Sequence, residues 1–171
     1  MKILVISDLH GREDLLRRVL LLHSDRDGVI FLGDGTRDID PAAITRGGGF
    51  FAGVRGNCDP TSLRMQDYDF DTELFLNIGE YNVIMMHGHL CGVKSGIERA
   101  VAYASARGAD ILLYGHTHIP FERYYPDGTQ IGEGVLEKPL WVMNPGSLGE
   151  GSYGLLQIKN KNILMSHGTI K

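Results

Sequence analysis

Five short apolar runs in a chain of 171 residues each stop at a polar cluster, and no other feature restricts the fold as strongly. Residues 2–6 run into Asp8-x-His10, and residues 29–32 into Gly33-Asp34-Gly35. Residues 50–54 lead to Gly56-Asn57-Cys58-Asp59, residues 81–86 to His87-Gly88-His89, and residues 110–114 to Gly115-His116-Thr117-His118. The first run is uninterrupted and β-branched, as expected of a strand covered on both faces. Behind it, Leu15, Leu16, Val19 and Leu20 recur at helical spacing, so a helix follows within a few residues. The polar cluster then lies at a strand's carboxyl end, where α/β sheets keep their chemistry. If the extended geometry continues, Asp8 and His10, two residues apart, project to the same side.

Residues 74–78 and 81–86 flank Gly79-Glu80 as a hairpin. Residues 93–107 carry Ile97, Ala100, Val101 and Ala104 at helical spacing, with Gly108 as the stop. Beyond residue 118 the pattern turns to antiparallel β. Residues 124–129 contain a turn in which Pro126 presets its backbone angle and Gly128 accepts positive φ. Asn160-Lys161-Asn162 is a second turn, between strands at 153–158 and 163–166. Helices alternate with strands early and strands dominate late, which predicts an α/β fold of two packed sheets with helices outside. A hydrophobic content of 43% supplies the core for one domain over residues 1–171.

The charge balance excludes some partners. There are 17 basic and 21 acidic residues, a net charge of -4, and no run of Lys and Arg. Neither an extended nucleic acid nor a polybasic membrane contact is expected. The opening apolar run reads as a core strand, so no signal peptide is expected, and no apolar stretch is long enough to span a bilayer. Cys58 and Cys91 make no disulfide framework, so a cytoplasmic location is the expectation.

Five of the seven histidines, His10, His87, His89, His116 and His118, lie in or beside the strand-end clusters. His23 and His167 lie elsewhere and read as ordinary hydrogen-bonded residues. A lone His at a strand end needs no metal, but the repeated coincidence of type and position points to one. The candidate ligands Asp8, His10, Asp34, Asn57, His87, His116 and His118 comprise two carboxylates and five neutral groups. Seven donors are too many for one tetrahedral zinc and suit two divalent cations sharing a carboxylate. Such a centre keeps net positive charge even with a bound hydroxide, and attracts phosphate although the chain is acidic. Mixed imidazole and oxygen ligation favours Mn, Fe, Ni or Zn over Mg or Ca. Cations about 3.5–4 Å apart clamp attacking and leaving oxygens, so hydroxide attack on phosphorus is the expected chemistry.

Asp-x-His, Gly-Asp, Gly-Asn, His-Gly-x and Gly-His-Thr-His, in this order, resemble the signature of the calcineurin-like metallophosphoesterases. The forms ISDLHG, LGDG, VRGNCD, HGH, GHTH and NPGS are most similar to small prokaryotic phosphodiesterases of the YfcE type, over essentially the whole chain. The resemblance implies a four-layer α-β-β-α sandwich of two mixed sheets with flanking helices. It implies a phosphoric diester hydrolase acting on small phosphodiesters with two divalent transition-metal ions, Mn foremost, and a bridging hydroxide as nucleophile. By the same resemblance Asp8, His10 and His118 hold one metal, Asn57, His87 and His116 the other, and Asp34 bridges. A homo-oligomer stays open. The rival readings are a phosphomonoesterase or phosphatase, a nuclease, and a non-catalytic metal-binding scaffold like the retromer subunit of this fold. A complete ligand set argues against the scaffold.

The chain departs from the wider family at one position. Many members carry His after the Gly-Asn to stabilise or protonate the leaving group, whereas here Cys58 stands there, followed by Asp59. A thiol is the weaker acid for that task. Cys58 reads as a small residue packed beneath the site, or as one that shapes the preference for diesters. His89 reads as a group reaching the leaving oxygen, or as a plain loop residue. Arg12, Arg37 and Arg55 adjoin ligands and could meet phosphate oxygens, though a solvated loop Arg is the commoner outcome, and Asp38 and Asp59 are candidates to orient imidazoles. Gly11, Gly33, Gly56, Gly88 and Gly115 read as turn residues with positive φ. Trp141 with Tyr124 and Tyr125 reads as core or interface, and the turn at 144–147 as structural, with Asn144 satisfying nearby backbone.

Overall fold

A computed structural model describes residues 1–60, 64, 65 and 68–171. The chain begins with β1 (Lys2–Ile6), α1 (Glu13–Leu22), β2 (Gly28–Phe31), α2 (Pro41–Thr45) and β3 (Phe50–Gly53). The short strands β4 (Arg64–Met65) and β5 (Tyr68–Asp69) precede the hairpin of β6 (Glu73–Ile78) and β7 (Tyr81–Met86). Next come α3 (Glu98–Ala106), β8 (Ile111–Tyr114), β9 (Phe121–Tyr125), β10 (Gln130–Ile131) and β11 (Gly134–Val135). The chain closes with β12 (Leu140–Asn144), β13 (Ser152–Lys159) and β14 (Asn162–Thr169).

Two mixed five-stranded sheets result, in the orders β14-β13-β1-β2-β3 and β6-β7-β8-β12-β9. In the first, β1, β2 and β3 are parallel and β13 runs against β1. In the second, β7, β8 and β12 are parallel, with β6 and β9 antiparallel at the edges.

Alternation along each strand sets the layers. Ile3, Val5, Ile30 and Ala52 of the first sheet meet Val83, Met85, Ile111, Leu113 and Met143 of the second in a central core. The intervening Leu4, Ile6, Val29 and Phe31 face outward onto Leu15, Leu16 and Val19 of α1 and Ile44 of α2. On the far side Ile84, Met86, Leu112, Tyr114 and Val142 pack on Ala100, Val101 and Ala104 of α3. The molecule is therefore the α-β-β-α sandwich that the sequence predicts. Among the described residues no helix is long and apolar enough to cross a membrane.

Both hairpin turns form where expected, with Ile78 paired to Tyr81 and Lys159 to Asn162. Two expectations need correction. The helix predicted over 93–107 starts only at Glu98, because Gly92 and Gly96, at φ 67° and 149°, hold the backbone outside the right-handed helical region. The region beyond residue 118 is not purely antiparallel, since β12 pairs in parallel with β8 and completes the second sheet.

Parallel strands within each sheet bring their carboxyl ends to one edge. The loops after β1, β2 and β3 carry Asp8, Asp34 and Asn57, and those after β7 and β8 carry His87 and His116. Hydrogen bonds such as His116 N–H to Asp8 and His87 to the Leu32 carbonyl join loops of one sheet to loops of the other. Five parallel strand ends thus meet at one place.

Candidate metal centre

Asp8 is fully buried at the end of β1. Its Oδ2 accepts from Ser7 Oγ at 2.6 Å and from the His116 N–H at 3.0 Å. Its Oδ1 is buried, has no hydrogen-bond partner, and faces Nε2 of His118 at 3.2 Å, of His10 at 3.9 Å and of His87 at 4.0 Å. Asp8 and His10 do converge, but not by continued extension of the strand. Their φ values are 54° and 47°, in the left-handed region. Asp34, His116 and His118 share that region, at φ 59°, 70° and 62°. The loops coil so that side chains from successive tight turns point inward.

Asp34 receives the Cys58 N–H on Oδ1 at 2.8 Å, and its Oδ2 lies 3.3 Å from His87 Nε2. Beneath it, buried Asp59 accepts the backbone N–H groups of Asp34, Gly35, Thr36 and Gly56 and the Thr36 hydroxyl, at 2.7–3.0 Å. Asp59 therefore laces the loop after β2 to the loop after β3 rather than orienting an imidazole, and Asp38 is spent on the Gly11 N–H at 2.8 Å. The imidazoles have other partners. His87 Nδ1 lies 2.7 Å from the Leu32 carbonyl, and His118 Nδ1 lies 3.1 Å from Glu150 Oε1. Glu150 carries no motif, and only its proximity in space reveals it.

The glycines beside the ligands divide into two kinds. Gly11, Gly33 and Gly88 have φ of 83°, 95° and 100°, as turn residues should. Gly56 and Gly115 do not adopt positive φ; they are needed for space, because a Cβ on Gly56 would strike Asp34 and one on Gly115 would strike Ser7.

Among the described residues there are three groups of donors, each with ligand atoms within 4.8 Å of one another: Asp8, His10 and His118; Asp34, His87 and His116; and His10, Asp34 and Cys58. Asp34 belongs to two of them. Within the first two lie short approaches of like groups, His10 Nε2 to His118 Nε2 at 3.5 Å in the first and His87 Nε2 to His116 Nδ1 at 3.1 Å in the second. Nitrogens and oxygens crowded this way around an unpartnered buried carboxylate oxygen suit a cation better than a mutual hydrogen-bond network. Asn57 is exposed beside them, its amide 3.2 Å from Cys58 Sγ, and both its chain neighbours contact Asp34. His89 is half-buried with its ring 5.4 Å from His87 and 6.1 Å from His116, and its Nδ1 is buried without a partner.

Cys58 is exposed, not packed beneath the site. It lines a cavity of about 290 Å³ with His10, Asp34, Arg37, Asp38 and Pro60. Of the neighbouring arginines, Arg12 is bound to Asp14 at 2.9 and 3.0 Å and to the Gly149 carbonyl, whereas Arg37 lines the cavity. Asn144 satisfies backbone as expected, donating to the Gly115 carbonyl and accepting from Gly146 N–H. Trp141 lies with its ring centroid 4.7 Å from that of Tyr124, the planes tilted by 47°.

The electrostatics follow from burial and pairing. Burial works against an ionised Asp34, but the hydrogen bond and charge of His87 and the Cys58 N–H hold its carboxyl well below the usual carboxylate range. Burial also works against a protonated His87, yet its hydrogen bond to Asp34 and the charges of Asp8 and Asp34 raise it. Burial and then the charge of His87 push His116 down to about 4, so it offers a free lone pair at neutral pH. Burial and the Asp34 carboxylate push the Cys58 thiol up.

Two mixed sheets with a cluster of Asp, Asn and His at their shared carboxyl edge define a metallophosphoesterase. Residues 1–161 match the calcineurin-like phosphoesterase superfamily domain, and the chain belongs to that family. It is 31% identical over 167 residues to the probable metallophosphoesterase YsnB of Bacillus subtilis (strain 168), covering 94% of this chain and 86% of the relative. It is 28% identical over 179 residues to the phosphodiesterase YfcE of Escherichia coli (strain K12), covering 91% and 87%. The fold matches a conserved uncharacterized protein of Streptococcus pneumoniae TIGR4, a predicted phosphoesterase, with a TM-score of 0.72 at 23% identity over 98% of this chain and 88% of that one.

Proposed function

We propose that this chain hydrolyses small phosphodiesters at two divalent cations, Mn²⁺ foremost. Asp8, His10 and His118 hold one, Asn57, His87 and His116 the other, and Asp34 is shared. The observation that carries this reading is the buried Asp8 Oδ1, without a hydrogen-bond donor yet facing three imidazole nitrogens within 4.0 Å. Bound there, the cations supply Lewis acidity that activates water for attack on phosphorus and offsets the charge of the phosphate. The chain's own residues select and hold the ester. A cavity of about 290 Å³ beside His10 and Asp34 suits one small diester, and Arg37 on its wall meets a phosphate oxygen. Cys58, with its thiol kept protonated, and His89, kept neutral by burial and by His87, face the leaving group as uncharged hydrogen-bonding groups.

The test is the initial rate on a bis-nitrophenyl phosphodiester and on the matching monoester, after metal stripping and with Mn²⁺ restored. Metal-restored hydrolysis favouring the diester is expected, and Asp34→Asn abolishes it. Preference for the monoester would replace the reading with a phosphatase. Absence of hydrolysis with two metals verified bound, or full turnover by Asp34→Asn with both metals retained, would overturn the mechanism.

A further inference from the structure

The segment after β12 reads as a structural turn, yet it ends in a carboxylate that touches a candidate ligand. Its backbone is stitched to the loop that carries Asp8. Leu148 N–H donates to the Ser7 carbonyl at 2.8 Å, and Gly149 N–H and Ser147 Oγ donate to the Asp8 carbonyl at 3.0 and 2.9 Å. Gly149 admits this approach because any Cβ there would sit 2.9 Å from the Leu9 carbonyl oxygen. The same segment grips the loop that carries His118, through Asn144 Nδ2 to the Gly115 carbonyl at 2.8 Å and to Thr117 Oγ1 at 3.0 Å. Arg12 adds a hydrogen bond to the Gly149 carbonyl. The last residue of this turn, Glu150, is held by its N–H to the Ser147 carbonyl at 3.2 Å, and its Oε1 lies 3.1 Å from His118 Nδ1.

We propose that Glu150 is the positioning residue for the Asp8–His10–His118 half of the centre, fixing His118 with Nδ1–H toward its own carboxylate and Nε2 toward the cation. The proposal rests on the metal-centre reading above. The geometry fits: His118 presents Nε2 to Asp8 Oδ1 at 3.2 Å while Nδ1 faces the carboxylate. Ligating histidines depend on such a partner for tautomer and ring orientation. The other half is built differently, since His87 is oriented by the buried Leu32 carbonyl. Glu150 is largely exposed, at 67% for its side chain, so its ion pair adds little to folding. The role is therefore separable. Removing Glu150 weakens one metal site and leaves the other site and the fold intact.

The experiment is calorimetric titration of the metal-free chain with Mn²⁺, alongside thermal melts, for wild type, Glu150→Ala, Glu150→Gln, His118→Ala and the double variant. Glu80→Ala, an exposed partner of Lys161, serves as control. In Glu150→Ala one of two sites loses about 10–100-fold in affinity while the melting temperature of the metal-free chain stays at the wild-type value. Glu150→Gln, which keeps an acceptor oxygen, recovers most of the loss. Once His118 is removed, Glu150→Ala has no further effect. Two wild-type-like sites in Glu150→Ala, or an additive loss in the double variant, would overturn the positioning role while leaving the metal centre standing. A wild-type chain that binds no Mn²⁺ would overturn both.

Discussion

Gly56→Ala tests how closely the loop after β3 is fitted to Asp34. Gly56 does not adopt positive φ, so an alanine there suffers no conformational penalty and only the added methyl matters. That Cβ would stand 2.7 Å from Asp34 Cγ and 2.8 Å from Asp34 N, against the 3.4 Å at which ordinary contact begins. Asp34 Oδ1 would be struck more closely still, so Asp34 or the loop must give by more than about 0.7 Å, and the loop is tied down by the Gly56 N–H bond to Asp59 at 2.7 Å. Overpacking of this kind costs about 1–3 kcal/mol of stability. A displacement approaching 1 Å at a reacting centre costs on the order of 10–100-fold in rate. We expect the variant to fold with a lowered melting temperature, to bind Mn²⁺ more weakly, and to lose phosphodiester hydrolysis by that factor. Gly79→Ala, in open space at φ 62°, is the control: it loses about 1 kcal/mol from its left-handed backbone and keeps wild-type metal affinity. If Gly56→Ala bound Mn²⁺ and turned over within about twofold of wild type, the argument that small displacements cost large factors in rate would not describe this site.

Asp59→Asn replaces one of two acceptor oxygens with a donor facing backbone N–H groups, and should lower the free energy of unfolding by about 2–4 kcal/mol, measured by urea denaturation. His23→Phe should raise stability, because both ring nitrogens of His23 are buried without partners. Burial, and then the charge of Lys2, hold the folded imidazole below its ordinary value of 6.5, so the unfolded chain binds the proton more readily. That contribution is present above about pH 6.5 and is lost as pH falls below it. The urea midpoint of the metal-free wild type should therefore fall more between pH 7.5 and 5.5 than that of His23→Phe, and equal slopes would refute the assignment. Cys58→His should shift the ratio of diester to monoester hydrolysis; an unchanged ratio would make Cys58 a plain loop residue.

The strands were legible because sheets covered on both faces need unbroken apolar runs, and the ends of those runs located Asp8, Asp34, Asn57, His87 and His116 without any contact being known. The loops were less legible. Left-handed backbone at His10, His116 and His118 leaves no signal in residue type, so the route by which Asp8 and His10 meet was misread as an extended strand. Asp59 looked like a partner for an imidazole because it adjoins the ligands in sequence. Its actual partners are N–H groups from two loops separated by some twenty residues, which only the fold brings together. Glu150 illustrates the same limit, being 32 positions from His118 and outside every motif. The start of α3 differs for a simpler reason: apolar spacing over 93–97 runs past Gly96, which the backbone uses to turn at φ 149°.

The left-handed turns at His10, His116 and His118 set folding stability against the proposed metal-dependent activity. Asp8 and Asp34 share the strain, but glycine there would also strand the N–H groups that their carboxylates accept. Glycine would occupy each of those histidine positions with about 1 kcal/mol less strain. Directed evolution for heat resistance in the presence of a chelator would therefore enrich replacements there and yield robust but inert proteins. With divalent metal at about a hundred times its dissociation constant, binding contributes about 2.7 kcal/mol to the folded state and reverses that preference. Whether a screen keeps or discards this site is decided by the metal in the medium.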